Sequence, residues 1–161
     1  MNYTTMIFSP TGGTEKAVTA LTSGWGERVA TVDLTNAGLD FSQFSFQPKD
    51  TVVIAAPSYG GRVPSLAAER IQKVQGNGAK AVLVCVYGNR AYEDTLVELE
   101  DLAKAAGFTV TAAVAAIAEH SIVRRFAAGR PDVEDLAILA GYGQTILERL
   151  QSGAQAGPIP G

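Results

Sequence analysis

The segment Ser9-Pro10-Thr11-Gly12-Gly13-Thr14 has the residue types of an anion-binding loop. It lies between an apolar run that predicts a strand and a run with helical periodicity. Glycines let backbone N–H groups approach an anion, the hydroxyls add donors, and the helix N-terminus contributes about half a positive charge. The spacing is neither G-x-x-x-x-G-K-[ST] nor G-x-G-x-x-G, so we predict a site for a phosphate monoester. The alternative is a polar turn that only caps the helix.

Two further loops set an aromatic side chain beside flexible backbone. The second loop contains Pro57-Ser58-Tyr59-Gly60-Gly61, and the third contains Tyr87-Gly88-Asn89-Arg90-Ala91-Tyr92. Such loops suit a flat ring that is gripped on its faces and bound by main-chain groups along its edge. Taken separately, Tyr59 and Tyr92 would be ordinary half-buried tyrosines, and Gly60-Gly61 an ordinary turn. The interpretation therefore depends on the three loops together.

The elements that position these loops alternate between strand and helix, which predicts an α/β fold with a mostly parallel sheet. The predicted strands are Tyr3–Phe8, Arg28–Asp33, Thr51–Ala56, Lys80–Val86 and Thr109–Ile117. The predicted helices are Gly13–Thr22, Pro64–Val74, Tyr92–Ala106 and Val133–Leu150. In such a sheet the loops that follow the first, third and fourth strands converge at the carboxyl edge. We expect one domain over residues 1–150 and a flexible tail over residues 151–161.

The first loop matches [ST]-x-T-G-x-T, the phosphate motif of the flavodoxins, and the chain resembles that family from Tyr3 to about Leu150. The resemblance implies a flavodoxin-like, doubly wound, five-stranded parallel sheet of order 2-1-3-4-5, with helices on both faces and FMN at the switch point. It also implies that residues 9–14 hold the phosphate and that residues 57–61 cover one face of the isoalloxazine. Tyr92 falls where the family has its stacking tyrosine, and Tyr59 falls where many members have tryptophan.

The loops are most similar to the flavodoxin domain of bacterial flavodoxin–ferredoxin fusion proteins. That similarity covers Tyr59-Gly60-Gly61-Arg62-Val63-Pro64, the segment from Tyr87 to Glu93, and Ala128-Gly129-Arg130-Pro131. This chain lacks the cysteines that bind a cluster, so an iron–sulfur partner would be a separate protein. It also has Arg62, Asn89 and Arg90 where typical flavodoxins surround the flavin with Asp and Glu.

Composition excludes several classes of protein. The net charge is -3 and the basic residues are scattered, so no nucleic-acid surface is expected. The one cysteine, Cys85, lies in an apolar run, which predicts a buried thiol and no disulfide within the chain. There is no secretory signal at residues 1–8 and no apolar run long enough to span a bilayer. We therefore expect a cytoplasmic protein that is a monomer or a weak dimer.

The resemblance implies an FMN-binding electron carrier whose partners are a ferredoxin, a flavin-dependent reductase or an acceptor enzyme. One alternative is an FMN-dependent reductase that passes hydride from NAD(P)H to a quinone or similar acceptor. Another is a scaffold that has lost FMN. A hydrolase built on Ser58, His120 and Asp132 is disfavoured because G-x-S-x-G is absent. His120 is interpreted as a surface residue, and Arg124-Arg125 as a solvated connection or a docking site for an acidic partner.

Overall fold

The computed structural model describes residues 2–10, 12–59, 61–87, 93–117 and 133–152. The strands within these residues are β1 (Asn2–Ile7), β2 (Glu27–Asp33), β3 (Thr51–Pro57), β4 (Lys80–Tyr87) and β5 (Thr109–Ile117). The α-helices within them are α1 (Gly13–Leu21), α2 (Ser65–Lys73), α3 (Glu93–Ala105) and α4 (Val133–Ser152). Each bound lies within two residues of the predicted one, and α4 continues to Ser152 instead of ending at Leu150. A 3₁₀ turn at Phe41–Gln43 was not predicted.

The five strands form one parallel sheet of order β2-β1-β3-β4-β5. The chain leaves β1 toward β2 on one side and returns to β3 on the other. A crevice therefore opens between the carboxyl ends of β1 and β3, where the winding direction reverses. The predicted fold class and strand order are confirmed.

The central strands are buried on both faces, as their continuous apolar sequences predict. In β3, Val53 and Ala55 pack in the core on the side of α1 and α4. The alternate residues Val52, Ile54 and Ala56 pack in a second core with α2 and α3. Cys85 in β4 is fully buried, and burial raises the pKa of its thiol to about 12. This thiol is a structural group and remains protonated at neutral pH.

Helix α1, which begins at the first loop, is held in place by a close contact with α4. Trp25 donates its indole N–H to the carbonyl oxygen of Gly143 at 2.8 Å. A Cβ at Gly143 would overlap the carbonyl group of Leu21, so the two backbones touch here. The absence of a side chain at Gly143 thus sets how closely α4 approaches the end of α1.

Candidate functional site

Hydrogen bonds at the carboxyl edge of the sheet bring the stems of the three loops together. Phe8 donates its N–H to the carbonyl of Ala55 at 3.0 Å, which extends the β1–β3 pairing up to the first loop. Ser58 donates its N–H to the carbonyl of Val86 at 2.8 Å, which joins the second loop to the end of β4. The convergence predicted from the strand order is therefore present.

The first loop ends in a helix N-terminus that is capped from within the loop. Gly12 is the N-cap of α1 and makes no side-chain cap of its own. Ser9 Oγ accepts a hydrogen bond from the Glu15 N–H at 3.0 Å, and Ser9 therefore caps the first turn of the helix. Ser9 keeps its hydroxyl proton to donate to a ligand.

Two further amides of the first turn remain for a ligand. The first hydrogen bond inside α1 joins the Lys16 N–H to the Gly12 carbonyl at 3.0 Å. The N–H groups of Gly13 and Thr14 precede it and have no partner within the helix. Together with the Ser9 hydroxyl, they form a set of donors at the positive end of a helix dipole, which is the chemistry of an anion site.

Gly12 supplies both the shape of the loop and the space beside it. Its φ of +89° lies in the left-handed region, which strains residues that have a Cβ. A Cβ built on it would meet nothing within 4 Å, so the loop is open on this side. Thr14 is only 3% exposed and lies at the second position of α1. A phosphate group fits this open cradle.

An ion pair partly neutralises a carboxylate in the first turn of α1. Glu15, in the first turn of α1, accepts a hydrogen bond from Arg28 of β2 at 2.7 Å. Arg28 lies 13 residues away along the chain, and the sequence analysis did not connect the two. The pair joins the first turn of α1 to the strand that follows this helix in the chain.

The second loop contains a tight turn at residues 59–62. Tyr59 donates its N–H to the Arg62 carbonyl at 2.8 Å, and Arg62 donates back to Tyr59 at 3.1 Å. Gly61 has a φ of +82°, in the left-handed region that favours glycine. Of the Gly60-Gly61 pair, only Gly61 is among the described residues, and the assignment of the pair to a flavin-binding loop remains a prediction.

Helix α3 anchors this loop through two side chains that the sequence analysis missed. Thr95 Oγ1 and the Ser58 hydroxyl lie 2.7 Å apart in a buried hydrogen bond, which excludes Ser58 as an exposed nucleophile. Glu98 accepts hydrogen bonds from Arg62 Nη2 at 2.8 Å, Arg62 Nε at 3.2 Å and the Val63 N–H at 2.7 Å. Thr95 and Glu98 are three residues apart and so share a helix face, a spacing that could have revealed the pair.

The environment of Glu98 favours its charged form. Hydrogen bonds from Arg62 lower the pKa of this carboxyl; burial opposes them, and the Val63 N–H adds to the lowering. A carboxyl with a lowered pKa stabilises the fold fully above the ordinary glutamate pKa, and that contribution is lost as pH falls through the lowered value. The carboxylate is therefore ionised and bound to the loop at neutral pH.

A cavity of about 800 Å³ opens beside the turn and the first half of α2. Its lining includes Phe8, Tyr59, Val63, Leu66, Glu69 and Gln72. This volume lies within the range of small-molecule sites, about 300–1,000 Å³.

Several predicted site residues lie outside the described residues. They are Thr11, Gly60, Gly88, Asn89, Arg90 and Tyr92, together with His120, Arg124, Arg125 and Asp132. Their assignments remain predictions. Pro10, Pro57 and Tyr87 are described and lie at the ends of the strands or in the loop stems, as expected.

Comparison with known structures tests the fold. Flavodoxin 1 from Bacillus cereus superposes with a TM-score of 0.64 at 14% sequence identity, over 92% of this chain and 98% of that one. A flavodoxin mutant from Fusobacterium nucleatum, solved bound to flavin mononucleotide, gives 0.60 at 13% identity, over 92% of this chain and 96% of that one. This chain has a flavodoxin-like fold.

The same flavodoxin-like fold also occurs in a structure described as a flavone reductase. It matches with a TM-score of 0.66 at 13% identity, over 98% of this chain and 66% of that one. No protein-family model and no curated protein sequence matches the chain. Among the described residues, no group of three or more His, Cys, Asp or Glu side chains is placed to bind a metal ion. None of their helices is long and apolar enough to cross a membrane.

Proposed function

We propose that this protein binds one FMN and carries electrons between partner proteins. The observation that carries the proposal is the open cradle at Gly12, at the N-terminus of α1 and at the switch point of a flavodoxin-like sheet. The Ser9 hydroxyl and the amides of Gly13 and Thr14 would hold the phosphate, with Thr11 completing the loop. FMN would supply an isoalloxazine ring that accepts and donates electrons one at a time.

The residues of the second and third loops would bind the ring. Tyr59 of the turn lines a cavity together with Phe8, which follows β1, and the stem of the turn is fixed to β4 and α3. Tyr92 would cover the other face of the ring, and backbone groups of residues 57–61 and 87–90 would bind its edge. The protein's part is to bind and orient the ring and to exclude water from it. FMN is favoured over FAD because the ligand ends in a phosphate on a helix N-terminus.

As a carrier, the protein would exchange electrons with a ferredoxin, a flavin-dependent reductase or an acceptor enzyme. We propose that it does so in the cytoplasm, as a monomer or weak dimer. Such docking requires only a brief encounter, for which small interfaces suffice.

One observation favours a second candidate, an FMN-dependent NAD(P)H reductase. The 800 Å³ cavity beside Tyr59 is large enough for a small-molecule acceptor or donor. A flavone reductase is among the proteins with a similar fold. Under this alternative, the acceptor or the nicotinamide would occupy the cavity beside the turn.

Reduction by nicotinamide nucleotides distinguishes the two candidates. We expect NADH and NADPH alone to reduce the FMN-loaded protein slowly, and a flavin-dependent reductase or reduced ferredoxin to reduce it quickly. Stopped-flow absorbance in the flavin bands gives both rates. Free FMN at equal concentration is the control. Sustained NADPH-driven quinone turnover by the pure protein would establish the reductase in place of the carrier.

A further inference from the structure

Glu98 is placed to control the position of the second loop from outside it. Its carboxylate spans the exit of the turn, because both oxygens bind Arg62 and one of them also binds the Val63 N–H. Arg62 closes the turn by two backbone hydrogen bonds to Tyr59. Pro64 follows directly as the N-cap of α2. The Glu98 side chain therefore connects α3 to the turn and to the residues just before α2.

Open space lies beside Gly61, at the tip of the described part of the turn. A Cβ at Gly61 would meet nothing within 4 Å, so the tip projects into open space. The Arg62 side chain is 69% exposed, whereas that of Glu98 is 23% exposed. Glu98 is therefore the more buried partner, and the exposed Arg62 side chain is held in place by its contact with Glu98. Because the Arg62–Glu98 pair is bidentate, it fixes the orientation of the guanidinium as well as its distance from the carboxylate.

We propose that Glu98 is a positioning residue that holds the Tyr59–Arg62 turn in its ring-binding position; this rests on the proposed binding of FMN. Without the carboxylate, the Arg62 guanidinium and the Val63 N–H lose a shared acceptor, and the turn moves away from the carboxyl edge of the sheet. The first loop is unaffected, since its donors are Ser9, which follows β1, and the first two residues of α1. Loss of Glu98 therefore weakens binding of the ring and leaves the contribution of the phosphate unchanged.

The experiment compares Glu98→Ala and Glu98→Gln with the wild type and with Glu100→Ala. Glu100 is a matched control, because it lies on the same helix and pairs with Lys104 at 3.6 Å, away from the turn. The Gln variant keeps one oxygen for the Val63 N–H, and it loses both the charge and the second oxygen that accepts from Arg62 Nη2. It is the more conservative change if the Ala variant is poorly folded.

Limited trypsin digestion tests the loop without any flavin. We expect cleavage after Arg62, detected by mass as fragments 1–62 and 63–161, to be about tenfold faster in Glu98→Ala than in the wild type. Cleavage after Arg28 in β2 reports global unfolding and should not change. Unchanged cleavage after Arg62 in both Glu98 variants would overturn the proposal.

Titration with FMN and with riboflavin tests the consequence for binding. In Glu98→Ala we expect both affinities to fall by the same factor, about tenfold to hundredfold, with a smaller loss in Glu98→Gln. Glu100→Ala should match the wild type. A loss confined to FMN, or equal affinities in all variants, would contradict the proposal. If the wild type binds neither flavin, the proposed function fails, and the trypsin result still decides whether Glu98 holds the turn.

Discussion

Replacing Gly143 by alanine is expected to lower the free energy of unfolding by about 3 kcal/mol, the upper part of the usual range for overpacking a core. The added Cβ would overlap the carbonyl group of Leu21, which is backbone and cannot rotate away. Relief requires α4 to move off α1. That movement would also lengthen the 2.8 Å hydrogen bond from Trp25 to the Gly143 carbonyl.

Thermal unfolding measures this effect, and the matched control lies two residues earlier in the same helix. Since 1 kcal/mol corresponds to about 2–4 °C in a chain of this size, the melting temperature should fall by about 6–12 °C. Gly141 is on the same helix with nothing within 4 Å of an added Cβ. Gly141→Ala should therefore stabilise the helix by about 0.5–1 kcal/mol. Equal effects of the two substitutions would show that the α1–α4 contact is looser than described. The fluorescence of Trp25, the one tryptophan, gives a local readout.

Replacing Gly12 by alanine should weaken FMN binding by about tenfold to hundredfold more than riboflavin binding, the value of a lost hydrogen bond to a charged group. The Cβ would occupy the open cradle where the phosphate is proposed to sit, and riboflavin has no phosphate to meet it. Backbone strain alone, at a φ of +89°, affects the protein with or without ligand.

The Gly61→Ala variant distinguishes the effect of backbone strain from the effect of a Cβ that fills the phosphate site. Gly61 has a similar φ of +82° and the same open space around an added Cβ, but it lies in the ring-binding turn. We expect this variant to weaken FMN and riboflavin binding equally. Fluorescence titration of the flavin-free variants gives the affinities. If Gly12→Ala also weakens both ligands equally, residues 9–14 do not bind the phosphate.

The sequence predicted the fold well because its signals are local and strong. The apolar runs at residues 51–56 and 80–86 could only be central strands buried on both faces, and both are. Glycines at the element boundaries marked the first loop and the turn, and Gly12 and Gly61 both have positive φ. The extra 3₁₀ turn at Phe41–Gln43 was missed, because it depends on the packing of Phe41 against the sheet and on the Asp40 side chain.

The contacts that support the site could not be predicted from the sequence as well as the fold, because they join residues that are distant along the chain. Glu98 and Arg62 are 36 residues apart, and Ser58 and Thr95 are 37 apart. Each pair depends on how α3 is rotated over the sheet, which periodicity gives only approximately. The sequence analysis weighed phosphate binding against a turn that only caps the helix, and the structure shows Ser9 in a capping contact. The geometry allows both, because the oxygen accepts from Glu15 and the hydroxyl proton is left to donate.

Binding of FMN itself is the central claim, and titration of the flavin-free protein tests it most directly. FMN, riboflavin and FAD are each added at fixed concentration to increasing protein, and binding is followed by quenching of flavin fluorescence. We predict one FMN per chain, bound more tightly than riboflavin because of the phosphate loop, with FAD weaker than FMN. Absence of FMN binding, or preferential binding of FAD, would contradict the account.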